Sequence, residues 1–445
     1  MPLGDYLWDV ANDAIEDIAT LRHHRIPDAG ASWRSVARSE ERLLSQLDAV
    51  LSCGEEVVRR AERSARSPEI PDPDRLFAVI LILGCWETRD SVAMAVDLLR
   101  IATTGTADEL SAAVDALCLA PHPGCAEALL ALLADSSATV RAAAVRILAY
   151  REGLPGDELL ALFRDDDPGV LEQAALAAGD FRDPKVTRAL EGCLFHPEES
   201  VVRAALRSAI RNRSRAGLEA ARTYCRDGRA GFADAALFLG LAGASSDVTQ
   251  IRSCLAMLEP PASGVRGAGF LGDPNLVPDL IGCLERLKDD QRREAAHALE
   301  RITAAGLQVT EEVPVHDPED LQYLEGTPPM EEQKTIVQDP VIWRAWWSAN
   351  QTRFDPGLRY RRGQRYSPDV LLDELDRGEC SPAERGLIHD ELAAIAGAAR
   401  GEIPRFRALD FIPRQEAGCG AWRQLLAAGH IRFAPGSFTT EREWT

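Results

Sequence analysis

The strongest constraint on this chain is internal repetition at a period of about 30 residues. Segments that read alike begin near Val140 (VRAAAVRILAY), Val170 (VLEQAALAAGD), Val202 (VRAALRSAIRN), Gly231, Val265 and Arg292. Two looser copies start at Arg75 and Glu109. Val140, Ala143, Ala144, Ile147 and Leu148 follow the i, i+3, i+4, i+7, i+8 spacing of a one-faced helix. A second amphipathic stretch follows each first one, as in AEALLALLAD from Ala126 and NLVPDLIGCLE from Asn275. Asp-Pro, Gly-Asp and Pro-Gly punctuate the starts. A unit of this size cannot bury its apolar stripe alone, so the copies must stack. The pattern predicts helix pairs from Arg75 to Ala305 and almost no strand.

Composition agrees with helices. Aromatics are only 6% of the chain, against many Ala and Leu residues. The formal net charge of −20 opposes long-range attraction to nucleic acid or anionic lipid, so neither nucleic-acid binding nor membrane insertion is expected. Ten scattered cysteines form no CxxC pair, and several lie in apolar stripes, which points to a reducing compartment. The apolar run from Leu76 to Trp86 is half a membrane span and reads as a buried helix. No basic-then-apolar leader opens the chain, and a cytoplasmic location is expected.

Asp135 followed by VRAAAVRIL, with Val-Arg again at Val202–Arg203 and Val265–Arg266, resembles HEAT repeats of the short bacterial type. The resemblance implies an all-α, right-handed α-solenoid of about eight helical pairs. It also implies an arginine ladder to acidic residues of the adjacent turn, matched by Arg141, Arg203, Arg266 and Arg293 and broken at Leu171 and Phe232. The ends are more specific. ANDAIEDIATLRHHR near the start, with WRAWW and RYRRGQ later, resembles a proteobacterial HEAT-repeat family, some members of which are encoded near type VI secretion genes. That family carries no activity to bring over, and the His its members hold near ERLLSQLDAV is absent here.

The expected organisation is an N-terminal helical cap (1–66), a HEAT-repeat solenoid (67–305), an acidic Pro-rich linker or strap (306–339) and a mainly helical C-terminal module (340–445).

Each motif with chemical content has a plainer counterpart. Cys118, His122 and Cys125 in CLAPHPGC have metal-ligand types, yet Cys118 lies in an apolar stripe and no fourth ligand is evident, so no metal is expected. Gly267, Gly269 and Gly272 spell GxGxxG inside a repeat helix, where close helix packing is the reading and a dinucleotide is not. His389 and Asp390 read as a surface polar pair, and His23 and His24 as a solvated helix end. No HExxH, His-Glu pair or GxSxG appears, so no catalytic residue and no cofactor is assigned.

Two groups remain as partner-binding candidates. Trp343, Trp346 and Trp347 share a helical face, fit either to anchor a partner or to form the module's core. Arg359, Arg361, Arg362 and Arg365 make a basic stripe in an acidic chain, fit to dock an acidic partner or to pair with linker carboxylates such as Glu311, Glu319 and Glu332. The leading expectation is a non-catalytic protein–protein scaffold or adaptor accessory to a secretion apparatus. A small-ligand binder or lyase-like enzyme using the concave face is the alternative, signalled by a polar pocket where the C-terminal module meets that face. A basic concave face would instead signal nucleic-acid binding.

Overall fold

The structure, a computed structural model, describes residues 3–28, 30–66, 70–314, 330–395 and 403–428. The described residues form two compact units. Unit 1 holds those up to Gly217 and those from Leu372 onward, and unit 2 holds Leu218–Leu371.

The repeat reading holds. Between residues 75 and 305 the described elements are helical. In unit 1 the helices Pro73–Cys85, Ala107–Leu119, Ala138–Tyr150, Pro168–Ala177 and Glu199–Arg211 stack in order, each against the next. In unit 2 the helices Ala235–Ala242, Ala262–Leu271 and Asp289–Thr303 do the same. All five stripe residues of Ala138–Tyr150 are buried, and so is every residue from Leu76 to Gly84. A second helix follows each first one, for example Pro184–Gly192 in unit 1 and Val277–Arg286 in unit 2.

The Asp-Pro punctuation has a local cause. Asp167, Asp183 and Asp339 each accept hydrogen bonds from the first-turn backbone while the following proline occupies the first helical position. The carboxylate satisfies orphan N–H groups, and the proline has none to waste.

The GxGxxG glycines serve packing. A Cβ on Gly267 would lie 2.2 Å from the carbonyl oxygen of Ala236, and one on Gly240 would lie 2.2 Å from that of Gly267. The two helix backbones therefore touch, which a side chain on either glycine would prevent. Gly272 is left-handed at φ +68° and ends its helix.

The ladder is formed in part. Arg141 reaches Asp165 through two bonds of 2.8 Å, and Arg266 reaches Glu294 at 3.0 Å, each in the next repeat. Arg203 and Arg293 bond within their own helices, to Glu199 and Asp290. Further rungs start on second helices, where Arg222 pairs with Asp247 and Arg252 with Asp279.

The stretch 306–339 includes two antiparallel strands, Gln308–Pro314 and Met330–Ile336, in register from Gln308↔Ile336 to Pro314↔Met330. Glu312 faces Glu332 across the ladder, a like-charge pairing that weakens it. Glu319 lies outside the described residues. The stretch from 340 is shared between the units at Leu371.

In unit 1 the N-terminal helices meet residues between 375 and 412. The N-terminal helix Leu3–His23 packs on Ala37–Ser52 and on Pro73–Cys85. Trp33 is buried, and its indole N–H donates to the Leu375 carbonyl. Gly378, at φ +60°, leaves no room for a Cβ beside that indole. Arg34 pairs with Asp376 at 2.8 Å, and the buried Glu40 accepts from the backbone N–H of Ile412.

Candidate functional site

The predicted tryptophans and arginines all lie in unit 2. The helix Pro340–Asn350, capped by Asp339, carries the indoles. Trp343 is fully buried and donates to the Val337 carbonyl at 2.6 Å. Trp346 and Trp347 are half-buried and meet Phe354 with ring centroids 6.4 and 5.4 Å apart. Phe354 continues the cluster to Tyr360 at 4.9 Å. Val341 and Ile342 of the same helix stand 64% and 43% exposed, so its first turn presents apolar surface to solvent.

The arginine stripe splits by depth. Tyr360–Arg361 and Gln364–Arg365 form a tiny hairpin turned by Arg362 and Gly363, both at positive φ, as a two-residue hairpin turn requires. The hairpin docks on helix ends: Tyr360 N–H donates to the Gly272 carbonyl, and Gly363 N–H to that of Ile302. Arg359 is buried and donates to the carbonyls of Leu271, Gly243, Gly240 and Phe270, with its guanidinium 3.8 Å from the Tyr366 ring centroid. These are last-turn carbonyls that helices leave unpaired. Arg361 is fully buried against the Phe270 ring. Arg365 is exposed and pairs with Asp355 at 2.6 Å. Arg359 and Arg365 also line a groove of about 490 Å³ with Leu358, Tyr366 and Ser245. The Arg-Gly of RYRRGQRY was the turn signal that sequence reading passed over.

Unit 1 holds a cleft that no motif announced. The segment from Pro404 to Arg414 returns across the C-terminal ends of the helices Ala107–Leu119 and Ala138–Tyr150. It bounds a cavity of about 280 Å³ lined by Arg151, Glu152, Arg405, Arg407, Asp410 and Arg414. A second cavity of about 270 Å³ shares Cys118, Tyr150 and Asp410 with it and adds Ile26, Phe77 and Leu409. The Tyr150 hydroxyl donates to Asp410 at 2.8 Å. Burial and the Asp410 charge push the phenol pKa up, so it stays protonated. Burial likewise pushes Cys118 up to about 12, which removes it as a thiolate nucleophile at neutral pH.

Behind the cleft lies a buried charge network. Asp180 meets Arg211 and Arg407, each at 2.5 Å. Burial alone would raise its carboxyl, but the two guanidiniums outweigh that and hold it at about 2. Asp390 pairs with Arg207 at 2.6 Å. The surface-pair reading of His389 and Asp390 is thus corrected: both are buried in the helix Pro382–Ile395, and they serve different partners. His389 Nε2 meets the Pro404 carbonyl at 3.0 Å. Burial, helped by Arg211, pushes its pKa down to about 4, so the ring is neutral.

His122 accepts from the Gly124 N–H in the repeat turn, while Cys118 and Cys125 are buried free thiols. Among the described residues no group of three or more His, Cys, Asp or Glu is placed to hold a metal ion, and no helix is long and apolar enough to cross a membrane.

Comparison with known proteins agrees on the repeats. A family model described as HEAT repeats matches residues 126–211. No curated protein sequence matches the chain. Among solved structures, Escherichia coli YibA aligns at 16% identity over 66% of this chain and 96% of its own, with a TM-score of 0.28. An engineered protein aligns at 16% over 63% and 87%, with a TM-score of 0.29. Human deoxyhypusine hydroxylase, in complex with glycerol, aligns at 13% over 67% and 98%, with a TM-score of 0.21. Scores this low transfer nothing of function. Residues 126–211, within unit 1, thus match HEAT repeats, and the described helices of each unit stack in pairs as all-α arrays.

Proposed function

We propose that the chain is a non-catalytic protein-interaction scaffold, cytoplasmic, and accessory to a bacterial secretion apparatus of the type VI kind. HEAT repeats commonly serve protein contacts, and the resemblance of both sequence ends supplies the secretion context. The observation that carries the reading is the helix Pro340–Asn350: Trp343 is consumed by the core, while Val341, Ile342 and the outer edges of Trp346 and Trp347 stay at the surface. Apolar and indole surface of this kind is what interface centres are made from. Arg365 and Leu358 line a separate groove of the same unit beside Ser245.

The test is co-purification from the native cell with the intact chain and with Val341→Ser/Ile342→Ser. Both changes lie at exposed positions, so thermal unfolding of the two chains should coincide. A protein retained by the intact chain and lost by the variant supports the scaffold. The same proteins retained by both chains would defeat it.

A second reading, a small-ligand cleft, is favoured by the paired cavities of unit 1, where polar groups of the returning C-terminal segment face the repeat ends.

A further inference from the structure

The paired cavities differ in chemistry, and the difference defines a ligand. The first is walled by four guanidiniums, Arg151, Arg405, Arg407 and Arg414, against two carboxylates, Glu152 and Asp410. The network behind it does not change the balance: Asp180, shared by Arg407 and Arg211, and Asp390, beside Arg207 and Arg211, bring two carboxylates together with two further guanidiniums. Arg151 donates to the carbonyls of Leu117, Ala120 and His122, and among the described residues no carboxylate pairs with it. Its charge is therefore held in place without being neutralised. Arg414 sits 3.5 Å from Asp410, whose same oxygen already accepts from Tyr150. Arg405 meets Glu152, a largely exposed side chain at the rim. In a chain of net charge −20 this is a local excess of about two positive charges. The second cavity, which shares Tyr150, Cys118 and Asp410 with the first, has an apolar stretch of Ile26, Phe77, Leu119 and Leu409, and its arginines are paired, Arg22 and Arg146 with Asp115 and Arg25 with Glu40.

We propose that this pair of cavities binds a small organic anion, a carboxylate or phosphate monoester with an apolar tail. Its head sits between Arg405 and Arg414, and its tail lies along Phe77 and Leu119. The proposal rests on the ligand-cleft reading and is independent of the scaffold. Glu152 acts as the competitor: it holds Arg405 until an anion displaces it. Volumes of about 280 and 270 Å³ suit a head group and a short chain, near the lower end of ordinary ligand sites.

Isothermal titration calorimetry at low ionic strength tests it, with octanoate, octyl phosphate, octylammonium and 1-octanol as probes against the full chain. One or both anions should saturate a single site per chain, at least tenfold tighter than octylammonium or octanol, and the stronger of the two identifies the head group. Arg405→Gln/Arg414→Gln should weaken the anion tenfold or more. Glu152→Gln should strengthen it several-fold. The three side chains lie at the rim, and thermal unfolding confirms that each variant is folded. If octanol or octylammonium binds as tightly as the anions, the anion assignment falls while the ligand cleft stands. If no probe saturates, both fall. Equal affinity in the parent and the double variant means adsorption elsewhere and overturns the proposal.

Discussion

Two arginine-bearing segments are fastened in opposite ways. In unit 1 the segment carrying Arg407 is held by a carboxylate, since Arg407 and Arg211 converge on the buried Asp180. In unit 2 the segment carrying Arg359 is held by backbone: its guanidinium donates to four carbonyls at the ends of the repeat helices. Both solutions desolvate a cation, yet only the first depends on a group that titrates. The comparison teaches that an arginine cluster in an acidic chain need not be a docking surface. It can supply the donors that exposed helix ends lack, and the sequence around it looks the same either way.

The sharpest way to break this comparison is Asp180→Asn. It takes the shared carboxylate from the buried Arg211 and the half-buried Arg407, and loss of one partner from a buried set costs about 3–5 kcal/mol. Chemical denaturation followed by hydrogen exchange should show that loss in unit 1, with unit 2 unchanged at neutral pH. A neutral result would mean that packing alone holds the returning segment.

Acid should act next, and on unit 1 in two windows. His389, at about 4, lies below its ordinary 6.5. The unfolded chain therefore binds the proton first, and stability present above pH 6.5 is lost as pH falls toward 4. Two and a half pH units at about 1.36 kcal/mol each give on the order of 3 kcal/mol. Asp180, at about 2 against 3.8, adds a further loss on the order of 2 kcal/mol below pH 4. His389→Gln should flatten the first window and leave the second. The Arg359 attachment has no titrating acceptor among its four carbonyls and should survive both.

Arg359→Ala should cost about 2 kcal/mol in unit 2, because buried carbonyls lose their donor, with little dependence on pH from 7 to 4. Arg365→Gln is the smallest effect. Its pair with Asp355 is exposed on both sides, so no measurable loss of stability is expected. A measurable loss would mean that the exposed arginine also belongs to the fastening.

The repeats were legible because helical periodicity and Asp-Pro caps are local signals. The stripe from Val140 to Leu148 and the run from Leu76 to Gly84 are buried as the spacing predicts. The glycines of GxGxxG were legible for a negative reason: no strand precedes them, and they thin the contact between neighbouring helices. What was not legible is long-range. Trp33 meets Leu375, Glu40 meets Ile412, and Asp180 meets Arg407 across more than two hundred residues. No periodicity encodes such contacts. His389 and Asp390 look like surface residues because their partners sit in other segments. The cleft was missed for the same reason: its lining comes from repeat turns and from a distant segment with no motif. The split of the arginine stripe had one local clue, Arg362-Gly363, whose positive φ values turn a hairpin inward.

The two surfaces are separated most directly in one co-purification. Intact chain, Val341→Ser/Ile342→Ser and Arg405→Gln/Arg414→Gln are used side by side as bait, with folding checked for each. A protein partner should be lost only with the first variant, while the second retains it and loses only the small anion. A partner lost with the cleft variant and kept by the helix variant would contradict the assignment of protein contact to unit 2.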